Sequence, residues 1–247
     1  MTFQQFANRV LRLLMSLVLD YEVEGLENLP EEGPLIVVQN HMIFIDTVLG
    51  AAFIDREIVG MSKAENYDNP LLAICFNLYG TFPVRRGEVD RQALRAALKV
   101  LKDGKVLMVA PEGTRSRTNT LQKGKDGLSY IAVKSSAGFI PLAIWGQEKL
   151  WHQLRRLRRT KVKAVFGMPL VFEAGQGKMS REQLAQMTDE MMYRIAALLP
   201  EEYRGYYSDS SAATEEYVRP CDGGARISGP VGQEGRRTVF SKGGVRG

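Results

Sequence analysis

The chain has 247 residues, 45% of them hydrophobic and 25% charged, which is ordinary globular usage and enough material for one large α/β domain. Its formal net charge of +5 points to an anionic partner: nucleic acid, a membrane surface or a phosphorylated substrate. With two histidines in all, and two distant cysteines in no metal-ligand spacing, a structural zinc or multi-histidine metal site is excluded, and the cysteine usage fits a reducing cytoplasm.

The first 20 residues carry Phe3, Phe6, Val10, Leu13, Leu14 and Leu17 at the spacing of one helix face, with Gln5, Asn8, Arg9, Arg12 and Ser16 off it. This pattern suits an amphipathic helix lying in a membrane interface, and equally a helix packed on its own domain. Arg12 and Asp20 bracket an apolar run far short of the roughly 20 residues a bilayer span needs. No small-x-small cleavage pattern follows that run, so no cleavable signal is expected.

Strand and helix signals then alternate. Residues 35–39 read as a fully apolar strand started by Pro34, 46–54 as a helix, 57–61 as a strand, and 69–79 as an apolar helix opened by Asn69-Pro70. Residues 81–85 read as a strand ended by Gly87. Residues 88–102 give the clearest helix, with Val89, Ala93, Leu94, Ala97, Leu98 and Leu101 in a 3.6-residue period and Gly104 closing it. A buried strand at 105–110, a helix at 127–136 and a strand at 139–145 follow. Residues 162–166 and 169–172 form a last strand pair or one interrupted strand. Residues 180–199 form a closing helix, with Ser180 and Gln183 as a capping box. The alternation predicts a mostly parallel central sheet flanked by helices, with the site at the carboxyl ends of the strands. From Tyr206 onward the chain turns small, polar and glycine-rich, which predicts a disordered basic tail. The expected organisation is therefore a helix at 1–20, an α/β domain at 21–205 and a tail at 206–247.

Three groups fall at strand ends. In "LIVVQNHMIFIDT", His41 and Asp46 would lie about 140° apart on an ideal helix and could not meet. They can meet if His41 sits in the turn after the strand and Asp46 in the first helical turn. Asp46 would then accept from one imidazole nitrogen, fix the tautomer and leave the other nitrogen as a base. The alternative is a chance histidine, with Asp46 serving only as a helix-start acid. Glu112-Gly113-Thr114-Arg115 is a plausible anion cradle or an ordinary turn. Arg85-Arg86 is an anion contact or a solvated edge. Residues 60–64 (GMSKA) lack the second glycine of a nucleophile elbow, and neither a P-loop nor a G-x-G-x-x-G is present, so hydrolase, nucleotide triphosphatase and dinucleotide readings lose their signatures.

Taken together, Asn40-His41-x4-Asp46, residues 80–86 (GTFPVRR), Pro111 through Arg115, and Ile140-Pro141-Leu142 resemble, in order and spacing, the glycerolipid acyltransferase family, which includes the bacterial 1-acyl-glycerol-3-phosphate acyltransferases. The resemblance covers roughly residues 26–199. It implies an acyl transferase in which His41 is the general base and Asp46 its orienting acid. Arg86, with Glu112, Gly113, Thr114 and Arg115, would bind the glycerol-phosphate acceptor, and Pro141 would shape the floor of the site or the acyl channel. The sequence departs from the family at Ile43, where a small hydroxyl residue is common, at Arg85, where an acid is common, and at Ala110, where an aromatic is common. Arg85 adds a positive charge to the acceptor side.

The implied reaction is direct attack by a lysophospholipid hydroxyl on an acyl thioester, acyl-CoA or acyl-carrier protein, with no other cofactor and no metal. The implied location is the cytoplasmic face of the membrane, peripheral or monotopic. The stretch "WHQLRRLRRTKVK" at 151–163 has six basic residues and no acid, and Trp151, Leu154 and Leu157 recur every third residue. It reads as a second contact with anionic lipid, or else as a solvated basic helix or a clamp for the acyl carrier. The alternative function is a non-catalytic membrane-binding module of the same fold. A nucleic-acid binder rests on charge alone, since no motif supports it.

Overall fold

The computed structural model describes residues 2–43, 45–87, 90–173 and 178–221. In chain order the elements are α1 (Phe3–Val18), β1 (Leu19–Glu24), β2 (Leu35–Gln39), α2 (Ile45–Ala52), β3 (Ile58–Lys63), α3 (Pro70–Tyr79), β4 (Phe82–Val84) and α4 (Arg91–Lys102). They continue with β5 (Val106–Val109), α5 (Gly127–Ser135), β6 (Gly138–Trp145), α6 (Leu150–Leu154), β7 (Thr160–Phe166), β8 (Leu170–Phe172), α7 (Arg181–Leu198) and β9 (Val218–Pro220).

A strand that is apolar at every position must be covered on both faces. The apolar run Leu35–Val38 of β2 lies at the centre of the sheet, whose order is β1-β7-β6-β2-β5-β3-β4. β2 pairs in parallel with β5 and β6, β3 with β5, and β4 with β3. Successive side chains of β2 enter opposite cores. Ile36 and Val38 pack with Leu101, Leu128, Ile131, Met191 and Ile195 under α4, α5 and α7. Leu35 and Val37 pack with Met15, Leu49, Ala51 and Ile140 under α1 and α2. The central sheet is thus mostly parallel with helices on both faces, as the alternation predicts.

Two strand expectations are corrected. β7 and β8 neither pair with each other nor form one strand. Each runs antiparallel to β6, β7 against Leu142 through Trp145 and β8 against Phe139. Between them Gly167 donates to the Pro141 carbonyl at 2.8 Å, which turns the chain out of one ladder and into the next. β1 was not expected, because half of Leu19–Glu24 is acidic. It is an edge strand parallel to β7, and Lys163 answers Glu22 and Glu24 at 3.3 and 2.6 Å. The helix at 88–102 begins at Arg91, capped by Asp90, whose Oδ1 accepts from the Gln92 and Ala93 amides. Glu88 and Val89 lie outside the described residues.

α1 packs on the domain through its polar face. Gln4 donates to the carbonyls of Ile58 (2.7 Å) and Tyr79 (2.9 Å) and accepts from the Ile58 amide. Asn8 donates to the Ala51 carbonyl and accepts from the Tyr79 hydroxyl, and Arg12 donates to the Ala52 carbonyl. Burying amide side chains requires such partners, and every one here is fixed backbone or a held hydroxyl. The roll of the helix is therefore set, and its apolar stripe faces outward: Phe3, Phe6, Val10, Leu13, Leu14 and Leu17 are 39 to 67% exposed. The adjoining α3 likewise exposes Leu71, Leu72, Ile74 and Leu78. Among the described residues no helix is long and apolar enough to cross a membrane.

The basic stretch at 151–163 is not one helix. α6 ends at Leu154, Leu157 takes a left-handed φ of 53° at a solvent-exposed tip, and β7 starts at Thr160. Residues 206–221 were expected to be disordered and are instead folded. Tyr207 is buried, donates to Asp189 and accepts from the Gly124 amide, and β9 pairs with β8. Glu190 of α7, itself buried, accepts from the Thr214 hydroxyl and from the amides of Glu216, Tyr217 and Val218. One carboxylate thereby satisfies the backbone of a mostly small and polar segment whose core contributions are Tyr207 and Val218. The remainder of the expected tail, 222–247, lies outside the described residues.

Candidate active site

The carboxyl end of β2 is tied to β6 by a side chain. Asn40 donates to the Ile144 carbonyl at 2.7 Å and accepts from the Ile144 amide at 2.8 Å, which mimics a strand pair and stops the strand. The chain then turns over Asp46, in the first turn of α2. Asp46 is fully buried, and its Oδ2 accepts from the amides of Met42 (2.5 Å) and Ile43 (2.8 Å) and lies 3.3 Å from His41 Nδ1. His41 is outside the helix, so the 140° separation on a helical wheel does not apply. With Nδ1–H directed to Asp46, Nε2 is left as the acceptor nitrogen.

The turn contributed 71 residues later holds the backbone of His41 from both sides. Glu112 Oε1 accepts from the His41 amide at 2.8 Å, and the His41 carbonyl accepts from the Ser116 amide at 2.7 Å. Glu112 Oε2 accepts from the Gln122 amide and from Gln122 Nε2 at 3.0 and 3.3 Å. Burial pushes the Glu112 carboxyl above the usual range, while the Gln122 and His41 donors pull it down. Glu112 therefore joins three pieces of chain and faces protein. The contact with an acceptor molecule implied by the family resemblance is not available to it.

His41, whose side chain is 15% exposed, opens into a cavity of about 760 Å³. Gln39, Thr47, Arg85, Arg86 and Gly113 share its wall, and Met61, Val109, Leu94, Leu128 and Ile131 supply apolar surface. Gly113 takes a φ of +68°, which favours glycine, and its Cα side faces the Lys125 side chain, 3.0 Å from where a Cβ would stand. Thr114 and Arg115 are exposed and do not line this cavity, and neither does Pro141. Pro141 lies within β6 opposite Val38, its ring against Gly167, so its place is in the sheet and not on the floor of the site. Arg86 lies close enough to Glu65 to assist Lys63, the principal cause, in holding that carboxyl below its usual range.

Three cations in the cavity wall escaped the sequence reading: Arg91, Arg95 and Lys125. Arg91 and Arg95 sit on the polar face of an amphipathic helix, where arginines are ordinary. Lys125 follows a glycine in an aperiodic loop. Only the fold brings it over Gly113, with its amide bonded to the Pro111 carbonyl at 2.9 Å. Among the described residues no cluster of His, Cys, Asp and Glu is composed to hold a metal ion. The arrangement offers a braced imidazole, a set of cations and an apolar wall in one enclosure, which suits proton removal beside an anionic, partly apolar substrate.

Comparison with known proteins follows this chemistry. A family model described as Acyltransferase matches residues 20–145. A 1-acyl-sn-glycerol-3-phosphate acyltransferase of Bacillus subtilis is 27% identical over 195 residues, covering 78% of this chain and 96% of that protein. A chloroplastic 1-acyl-sn-glycerol-3-phosphate acyltransferase of Arabidopsis thaliana is 29% identical over 131 residues, 52% of this chain and 36% of that protein. The crystal structure of the 1-acyl-sn-glycerophosphate (LPA) acyltransferase PlsC from Thermotoga maritima matches with a TM-score of 0.57 and 28% identity, covering 76% of this chain and 75% of that one.

Proposed function

The chain belongs to the acyltransferase family, and from that premise we propose that it moves a fatty acyl group from a thioester to the free hydroxyl of 1-acyl-glycerol-3-phosphate, giving phosphatidic acid. The observation that carries the reading is His41, braced by Asp46 and open to the cavity that Arg86 and Lys125 share. The acceptor hydroxyl donates to His41 Nε2. As its oxygen attacks the thioester carbonyl carbon, the proton passes to Nε2 and the charge of the new imidazolium is met by Asp46. Collapse of the tetrahedral intermediate breaks the carbon–sulfur bond, and the leaving thiolate takes the proton back from His41. A base so placed is worth about 10²–10⁴ in rate. Arg85, Arg86 and Lys125 hold the acceptor's phosphate, which lies only a few bonds from the attacking oxygen and must bind at this end of the cavity. Glu112 serves as a positioning residue that keeps His41 against the anion-holding turn.

The acceptor is a lipid, so the enzyme works at a membrane surface, its cytoplasmic face in this reading. The outward apolar stripe of α1 and the exposed face of α3 support this. A large apolar side chain moved fully out of water contributes about 1.5–3 kcal/mol, and the stripe of α1 offers six that are already more than a third exposed. The arginines around Leu157 add about 1 kcal/mol each near anionic lipid. The acyl donor is acyl-CoA or acyl-carrier protein. The purified protein, given a labelled acyl thioester and a panel of lysolipids, is expected to make phosphatidic acid from lysophosphatidic acid. Consumption of a different lysolipid in preference would contradict the acceptor assignment.

A further inference from the structure

The cavity extends beyond what a glycerol-phosphate needs. Besides His41, its wall is shared by α4 and α5: Leu94, Leu128 and Ile131 supply apolar surface, Arg91 and Arg95 come from α4 and Tyr130 from α5. Arg91 and Arg95 are four residues apart and so share one helix face. Both are exposed, and among the described residues neither guanidinium is in an ion pair. On the same helix Lys99 pairs with Asp103 at 2.7 Å, and the N-cap Asp90 is committed to the Gln92, Ala93 and Arg85 amides, while the exposed Lys102 at the far end does not line the cavity. Arg91 and Arg95 are thus two cations of this helix that line the cavity and stand outside any ion pair among the described residues.

We propose that Arg91 and Arg95 are the phosphate site of the acyl donor, holding the phosphate of a phosphopantetheine arm whose thioester end reaches His41 within the same cavity. This rests on the acyl-transfer reading above. The two substrates carry their phosphates at very different distances from the reacting atoms. The acceptor's is close to its hydroxyl and belongs with Arg86 and Lys125. The donor's lies at the far end of a long arm of methylenes, a dimethyl carbon and amides, which suits a cavity whose wall combines apolar surface with further cations. Guanidinium forks match phosphate oxygens two at a time, and two forks one turn apart can grip one phosphate from a single side. The same arm is presented by CoA and by acyl-carrier protein, so the site serves either source.

Calorimetric titration of the full chain with CoA, phosphopantetheine and pantetheine tests the assignment without any turnover. The wild type is expected to bind phosphopantetheine at least about tenfold tighter than pantetheine, since a charge-assisted contact of this kind is worth a decade or more in affinity. The paired substitution Arg91→Ala with Arg95→Ala should erase that preference, as should Arg91→Gln with Arg95→Gln, while Arg91→Lys with Arg95→Lys should retain part of it. Tighter binding of CoA than of phosphopantetheine assigns the adenosine half to the cavity as well, beside Tyr130. Equal binding places the adenosine half outside the site and supports the phosphopantetheine phosphate as the anchor that both sources share. Equal affinity for pantetheine and phosphopantetheine in the wild type, or a phosphate preference that survives the neutral pairs, overturns the proposal. Phosphate-dependent binding without acyl transfer to any lysolipid would defeat the reaction while leaving this site standing, and transfer with no phosphate preference would defeat the site alone.

Discussion

Replacing Asp46 by Asn separates the two things this carboxylate does. Its Oδ2 accepts from the Met42 and Ile43 amides, which builds the turn, and faces His41 Nδ1 at 3.3 Å, which steadies the ring. An Asn carbonyl placed at Oδ2 keeps all three contacts, and its amide group then occupies the position of Oδ1, which has no partner in the native site. What is lost is the negative charge opposite the imidazolium. At this separation and an effective dielectric near 20 the full attraction is about 5 kcal/mol, and the premium of a charge-assisted bond over a neutral one is about 1–2 kcal/mol. Taking about 3 kcal/mol as the loss in the transition state, kcat at saturating substrates should fall about 10²-fold. Asp46→Ala is different. It leaves two buried amides without an acceptor, at about 1–3 kcal/mol each, and should lower Tm by several degrees as well as kcat. Stopped thioester assays with melting curves of both variants check this. A kcat of Asp46→Asn equal to the wild type, or a Tm loss as large as that of Asp46→Ala, would refute the electrostatic argument.

Glu112→Ala should cost about 2–5 kcal/mol in stability, because the His41 and Gln122 amides lose their acceptor in a buried place, and denaturant titration reads this directly. Since burial raises the Glu112 carboxyl, the folded chain holds that proton more tightly than the unfolded one. Its contribution to stability is full below the ordinary carboxylate range and is lost as the pH rises through the raised value. Glu112→Gln should therefore flatten Tm against pH on the acid side, and an unchanged slope would contradict the assignment. Leu13→Asn with Leu17→Asn on α1 should leave Tm unchanged, since both side chains are about two-thirds exposed, yet weaken flotation with anionic liposomes by about tenfold to a hundredfold. Flotation equal to the wild type would mean the stripe meets no bilayer.

The parts of this fold legible in the sequence are those with one dominant local signal. The apolar run Leu35–Val38 of β2, the 3.6-residue period of α4 and the Ser180 capping box of α7 each name their element without help from distant residues. β1 was missed because two of its three acidic residues, Glu22 and Glu24, are answered by Lys163, some 140 positions away, which no local window contains. The folding of 206–221 was missed for a similar reason: Glu190 and Gly124 supply its partners. At the site, the meeting of His41 with Asp46 follows from their placement across a strand end and a helix start. The role of Glu112 did not follow, because a carboxylate beside a glycine turn reads as ligand-facing until the fold shows His41 and Gln122 donating to it. Lys125, Arg91 and Arg95 carry no sequence signal that separates them from solvated cations, and only the cavity they share with His41 singles them out.

The initial rate of acyl transfer by His41→Ala, measured with lysophosphatidic acid and an acyl thioester beside the wild type, tests the central claim most directly. The account predicts phosphatidic acid from the wild type, a rate at least about 10²-fold lower from the variant, and an unaltered melting temperature. Turnover by His41→Ala at the wild-type rate would contradict it.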